Sequence, residues 1–222
     1  MNCFKEKNII VTGHTGFKGS WLCAWLKHLG AKVIGLSNDI PTNPSHFSIL
    51  HGIVDHDLRI DIKNREDVSI GIKKYQPSFI FHLAAQPIVF DSYKDPFDTF
   101  QVNAIGTASV LEYLRKTSSE CIGIFITSDK CYDNVEWTYG YRESDRLGGK
   151  DPYSGSKGAA ELVIKSYYES FLSSLAPKIK IGIGRAGNVI GGGDWAPFRI
   201  VPDCVRSWSI NKKPEIRCPQ AT

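Results

Sequence analysis

No two cysteines stand at C-x-x-C spacing in this 222-residue chain; Cys3, Cys23, Cys121, Cys131, Cys204 and Cys218 are scattered singly. Neither a disulfide framework nor a zinc motif is visible, so reduced thiols and a cytoplasmic setting are expected. The histidines show no ligand spacing, and no metal site is expected. Long apolar runs are missing as well. Residues 1–7 lead into only five apolar-leaning residues before Gly13, too few for a secretory segment or a membrane span. Repeats, low-complexity tracts and runs of like charge are absent. The net charge of +4 comes from scattered Lys and Arg, which speaks against nucleic acid and suits a small anionic ligand.

What is present is an alternation of two patterns. Short β-branched or apolar runs at 8–12, 32–36, 53–58, 79–83, 122–127 and 179–184 read as strands, the third the least marked. Between them, 17–29, 64–75, 95–116 and 152–172 carry apolar residues at helical spacing, with Gly30 and Pro77 as stops and Pro96 in a first turn. Strands alternating with helices imply a parallel sheet covered on both faces, an α/β doubly wound, Rossmann-type fold. Trp21 and Trp25 fall on the first helix and are expected in the core, as is His82 within its apolar strand. A chain of this length holds one good core and a small extra lobe. The expected division is a dinucleotide-binding domain over 1–190 and the start of a substrate-binding region over 191–222. That region opens with the flexible Gly191-Gly192-Gly193 loop. No helix ending or closing strand marks 214–222, so the small C-terminal domain is expected to be incomplete.

Two stretches carry chemistry. Gly13-x-x-Gly16-x-x-Gly19 lies between the first strand and first helix, where glycines permit a tight turn and let backbone N–H groups approach a pyrophosphate. Asp39, about twenty residues further on, is placed to hold ribose hydroxyls, and its charge would repel the extra phosphate of NADP. The expected cofactor is therefore NAD, with Asp61 and Ile62 flanking the adenine. The plain alternative for Asp39 is a solvated loop aspartate.

The second stretch opens with Ser128-Asp129-Lys130 after the fifth strand and closes with Tyr153 and Lys157, four residues apart on one helix face. An ammonium beside a phenol favours the phenolate, so Tyr153 is expected to titrate below its ordinary value and to take a hydroxyl proton. Y-x-x-x-K spacing also arises by chance in helices, and Asp129-Lys130 could be a solvated turn. Their shared place at the carboxyl edge of the sheet favours a catalytic set.

These residues resemble the extended short-chain dehydrogenase/reductases, of the NAD-dependent epimerase/dehydratase kind. The likeness is carried by Val11–Leu22 (VTGHTGFKGSWL), Leu83–Pro87 (LAAQP), Thr127–Asn134 (TSDKCYDN), Tyr139–Glu143 (YGYRE), Asp151–Ser154 (DPYS) and Arg185–Trp195 (RAGNVIGGGDW). His14–Ser20 and Lys130, where other sugar-nucleotide 4,6-dehydratases usually carry Glu, look like the branch acting on CDP-glucose. The resemblance implies loss of water to give CDP-4-keto-6-deoxyglucose, a precursor of the deoxysugars of lipopolysaccharide O-antigens. Tyr153, helped by Lys157 and Ser128, would deprotonate the C4 hydroxyl as C4 is oxidised; Lys130 would remove the C5 proton, and Asp129 would protonate the leaving C6 hydroxyl. It further implies that Thr15, Phe17, Lys18, Ala84, Ala85, Gln86 and Asn103 join the glycines, Tyr153 and Lys157 around NAD. Gln86, Asn188, Trp195 and Arg199 would meet the sugar nucleotide. A homodimer through the helices at 95–116 and 152–172 is implied too, although sequence does not distinguish it from helices buried in a monomer. Two alternatives stay open: an NAD-dependent epimerase, which needs Tyr153 and Lys157 but not Asp129-Lys130, and a catalytically silent NAD-binding module.

Overall fold

The computed structural model describes residues 3–217 and 219; Cys218 and the rest of the chain's two ends lie outside them. Six parallel strands form one sheet: β1 (Asn8–Thr12), β2 (Lys32–Ser37), β3 (His56–Arg59), β4 (Phe79–His82), β5 (Cys121–Ser128) and β6 (Ile179–Ala186). Their order, β3-β2-β1-β4-β5-β6, is the doubly wound arrangement expected from the alternation. Side chains alternate across each strand, so the sheet separates two cores. Ile10, Ile34 and Ile80 point to one, with Leu111, Leu114 and Ile164 from the helices; Ile9, Val11 and Val33 point to the other, with Cys23 and Leu26. This two-sided burial explains why the strands read as continuous apolar runs.

The helices are α1 (Phe17–His28), α2 (His46–Ile49), α3 (Arg65–Lys73), α4 (Val89–Lys94), α5 (Pro96–Phe100), α6 (Gly106–Lys116), α7 (Pro152–Tyr167) and α8 (Ile200–Ser209). Local chemistry sets their ends. The Asn64 side chain accepts from the amides of Glu66 and Asp67 at the start of α3, and Asp151 accepts from the Ser154 amide at the start of α7. Gly30, at φ +82°, takes the left-handed turn that stops α1.

Several expectations need correction. The helix expected over 95–116 is α5 and α6 joined by a π-helical segment, Gln101–Ile105, with Asp95 as the cap that accepts from the Asp98 amide. The helix expected over 152–172 likewise passes from α7 into a π-helical segment, Tyr168–Leu172. The third strand starts three residues later than expected. Helices α2, α4 and α8 were not foreseen; in α8, Pro202 sits in the first turn, where a missing N–H costs no intrahelical bond. Trp21 and Trp25 are not core: they lie on the outer face of α1 at 50% and 65% exposure, and Trp21 donates to the Gly192 carbonyl. His82 is buried, as expected.

Candidate active site

The sheet reverses its winding between β1 and β4, and a crevice opens at their carboxyl ends. The turn from β1 to α1 forms its floor. Gly13 has φ +71°, and a Cβ there would lie 2.8 Å from the Ala84 nitrogen; a Cβ on Gly19 would lie 2.1 Å from the Gly13 carbonyl oxygen. These two positions therefore admit only glycine, and they bring the end of β4 against the turn. Gly16 caps α1 without a side chain, which leaves first-turn amides available to an anion.

A cavity of about 300 Å³ follows this floor. Gly13, Thr15, Gly16, Phe17, Lys18 and Gly19 line it from the turn, and Asp39 from the end of β2. Asp61 and Ile62, which follow β3, Ala84, Ala85 and Gln86, which follow β4, and Arg199 complete the foreseen set. Thr15 Oγ1 donates to the Asp39 carbonyl at 2.6 Å and so ties the turn to β2. Ser37 and Lys63 also line the cavity and were missed from sequence. The Ser37 hydroxyl is buried there without a partner, and Lys63 Nζ bonds Asp98 at 2.6 Å beside Asp61. Burial and the nearby Arg199 charge hold the Lys18 ammonium below its ordinary range.

Asn103 stands behind the cavity wall. Its buried amide accepts from the Gln86 N–H at 2.9 Å and donates to Ser156 Oγ at 2.8 Å, joining the loop after β4 to α7. The Gln86 amide donates to Thr99 Oγ1 at 3.0 Å and accepts from the Ile88 N–H at 2.5 Å, which fixes that loop. His82 continues the chain of bonds. Thr107 donates to the Asn103 carbonyl, so its oxygen accepts from His82 Nε2, and His82 Nδ1 accepts from Thr12 Oγ1 at 2.8 Å. Thr12 Oγ1 in turn accepts from the amides of Leu83 and Ala84. The network defines a neutral imidazole, and burial first, then the Lys157 charge, pushes His82 down to about 3.

The acid–base residues gather at the next strand end. Ser128 closes β5; its hydroxyl donates to Asp129 Oδ1 at 3.0 Å and accepts from the Lys130 N–H at 3.2 Å. Asp129 and Lys130 are solvent-exposed on the short turn Asp129–Cys131. Tyr153 and Lys157 are buried on α7, with Lys157 Nζ 5.8 Å from the Tyr153 ring centre. Burial pushes the Lys157 ammonium down to about 8, and the Lys18 charge adds to that. Tyr153 departs from expectation. Burial raises its pKa, and the charges of Asp129 and Asp151 add to the rise, against the lowering effect of the Ser128 hydroxyl and Arg199. With both phenol and amine desolvated, removal of water outweighs the attraction between them.

Arg199 is held by Asp194 at 2.9 Å, and the Trp195 carbonyl accepts from Arg206 at 2.9 Å. Asn188, exposed after β6, and Trp195 do not line the cavity, whereas Arg199 does. Glu161 was missed from sequence, and Arg185 entered only as the first residue of the matching stretch Arg185–Trp195, with no role of its own. Glu161 follows Lys157 by four residues, a spacing that could have revealed it on the same helix face.

A family model described as GDP-mannose 4,6 dehydratase matches residues 10–179. CDP-glucose 4,6-dehydratase of Salmonella typhimurium is 46% identical over 98% of this chain and 62% of that protein. CDP-paratose 2-epimerase of Salmonella typhi is 32% identical over 73% of this chain and 53% of its own length. The chain thus spans less than two thirds of these curated relatives. Among solved structures, UDP-glucose 4-epimerase of Thermus thermophilus, in complex with NAD, superposes with a TM-score of 0.70 at 28% identity, covering 83% of this chain and 56% of that one. Sheet order, glycine turn and the matched span of 170 residues agree: the chain belongs to the GDP-mannose 4,6 dehydratase family, among the extended short-chain dehydrogenase/reductases.

Proposed function

We propose that this protein dehydrates CDP-glucose to CDP-4-keto-6-deoxyglucose with NAD as a tightly held cofactor. The observation that carries the reading is the turn at the end of β5, where Asp129 and Lys130 stand exposed after Ser128, with Asp129 near enough to Tyr153 for its charge to act on the phenol. An epimerase needs only the tyrosine and lysine of α7. The identity of 46% to a CDP-glucose 4,6-dehydratase supports the same choice.

The cavity residues fit a dinucleotide. Glycine amides at the α1 terminus suit a pyrophosphate, and the orphan Ser37 hydroxyl beside Asp39 suits ribose hydroxyls. Asp39 disfavours a further phosphate there, which selects NAD over NADP. When bound, NAD would supply a reversible two-electron acceptor, so that the hydride lost from C4 returns to C6 after water has left and the reaction has no net oxidation. Tyr153 takes the C4 hydroxyl proton, with Ser128 beside it and Lys157 one helical turn along α7. Lys130 takes the C5 proton, and Asp129 gives its proton to the departing C6 hydroxyl. These two transfers call for a free amine on Lys130 and a carboxylic acid on Asp129. Asn188, Trp195 and Arg199 would contact the sugar nucleotide from the segment after β6.

The division into 1–190 and 191–222 belongs to the same proposal, supported by the exposed apolar residues of α8, Ile200, Val205 and Trp208. A homodimer through the helices at 95–116 and 152–172 is supported by exposed Ile105, at the end of the π-helical segment before α6, and Leu162 of α7. A cytoplasmic setting is supported by five free cysteines among the described residues. Among these residues, no helix is long and apolar enough to cross a membrane.

Product mass tests the reaction. Incubated with NAD and, in turn, CDP-, UDP- and GDP-glucose, the protein is expected to remove one water from the CDP sugar alone. An altered sugar of unchanged mass would establish an epimerase instead, and retained NAD without any product would leave a binding module.

A further inference from the structure

The two halves of the acid–base set sit on different elements. Tyr153 and Lys157 belong to α7, while Asp129 and Lys130 project from the turn after β5. Between them lies an ion pair, largely buried, that joins α7 to β6. Glu161 follows Tyr153 and Lys157 at i+8 and i+4, and its side chain is 3% exposed. Arg185, paired with Thr127 across β5 and β6, meets it with two bonds, Nε to Oε1 and Nη2 to Oε2, each 3.0 Å. Thr127, next to Ser128, donates to Glu161 Oε1 at 2.6 Å.

The remaining arm of Arg185 reaches past the turn. Nη1 donates to Tyr132 Oη at 2.8 Å and to the Glu143 carbonyl at 3.1 Å. Tyr132 follows the turn directly and pairs with Leu147; the Cys131 carbonyl accepts from the Gly148 N–H at 2.9 Å. A Cβ on Gly158 of α7 would lie 3.1 Å from the Gly148 carbonyl and 3.4 Å from that of Cys131, so the two bridged segments of this excursion rest closely on the helix. Asp129 and Lys130 are thus held from one side by Ser128 and from the other by Tyr132.

We propose that Arg185, anchored on Glu161, is a positioning residue that sets the Asp129-Lys130 turn relative to Tyr153 and Lys157. It does not line the cavity. Its guanidinium fork satisfies a carboxylate with one edge and the turn's far anchor with the other, which a lysine cannot do. The consequence is selective: loosening the far anchor displaces the groups that eliminate water and leaves α7 in place. This inference rests on the dehydratase reading for its kinetic consequence but not for its structural one.

Two variants keep a cation beside Glu161: Tyr132→Phe, which removes one hydroxyl, and Arg185→Lys, which removes the fork. Amide hydrogen exchange on the NAD-loaded protein should show about tenfold faster exchange over 129–132, with 153–157 unchanged. Exchange equal to wild type, or faster in both segments, overturns the proposal. With CDP-glucose, both variants should lose about tenfold or more in water loss while oxidation at C4 persists, so that reduced cofactor accumulates and NAD affinity stays the same. A parallel fall of oxidation and water loss overturns it. A wild-type protein that binds NAD and leaves CDP-glucose unchanged refutes the dehydratase reading alone, and the exchange measurement then decides the positioning role.

Discussion

Lys130 and His82 show how far one side chain's surroundings decide its use. Lys130 projects into solvent from a three-residue turn, reaching its neighbours only through its backbone N–H to Ser128. Lys130→Ala should therefore abolish water loss from CDP-glucose while NAD binding, measured by calorimetry, stays at the wild-type value. Normal turnover would remove Lys130 from the proposed chemistry. His82 is the opposite case, neutral and bonded at both nitrogens. Its native pKa of about 3 lies below the unfolded value of about 6.5. Between those values the unfolded chain takes up a proton that the native chain refuses. Stability accordingly falls as pH drops from 6.5 toward 3, and the penalty is absent above 6.5. His82→Gln should flatten that part of a thermal-midpoint profile; an unchanged slope would show that other groups govern the acid limb.

At the scale of elements, the turn from β1 to α1 is the least tolerant part of the molecule. Gly19 has the Gly13 carbonyl where its Cβ would be, so Gly19→Ala must move backbone rather than a flexible side chain. The cost should be at least about 1–3 kcal/mol, with NAD affinity lost in step because the same backbone carries the phosphate-facing amides. Calorimetric unfolding and NAD titration of the variant test both parts. This turn was legible from sequence because glycine spacing reports backbone demands directly. The π-helical segment at Gln101–Ile105 was not. Its residues fit a regular helix, and the widened turn is selected by tertiary partners: Asn103 must reach both Gln86 and Ser156. Trp21 and Trp25 failed for a related reason. Their spacing from Leu22 and Leu26 marks a helix, but which side faces the sheet depends on the packing around Cys23 and Leu26.

For the whole molecule, the outward apolar face formed by α7 and the π-helical segment before α6 is the feature with consequences. Ile105 and Leu162 are 56% and 57% exposed, and neither belongs to the two cores. If that face pairs two copies, Leu162→Arg should give monomers by analytical ultracentrifugation without lowering the unfolding midpoint of the monomer, since the residue packs against no buried core. Retention of a dimer by this variant would place the pairing surface elsewhere. The parallel sheet itself followed from alternation alone, because burial on both faces leaves continuous apolar strands that a one-sided sheet would not show.

What the sequence determined by itself was local and periodic: strand and helix order, the glycine turn, the i, i+4 placement of Tyr153 and Lys157, and the charged turn after β5. Each depends on backbone sterics or fixed helical spacing, which neighbouring residues encode. Only the tertiary structure decided which residues distant in sequence meet. It paired Glu161 with Arg185, closed the bond chain from Thr12 through His82 to Asn103, and brought Arg199 to Lys18. It also reversed the expected direction for Tyr153, because desolvation is a property of the packed environment rather than of any spacing along the chain.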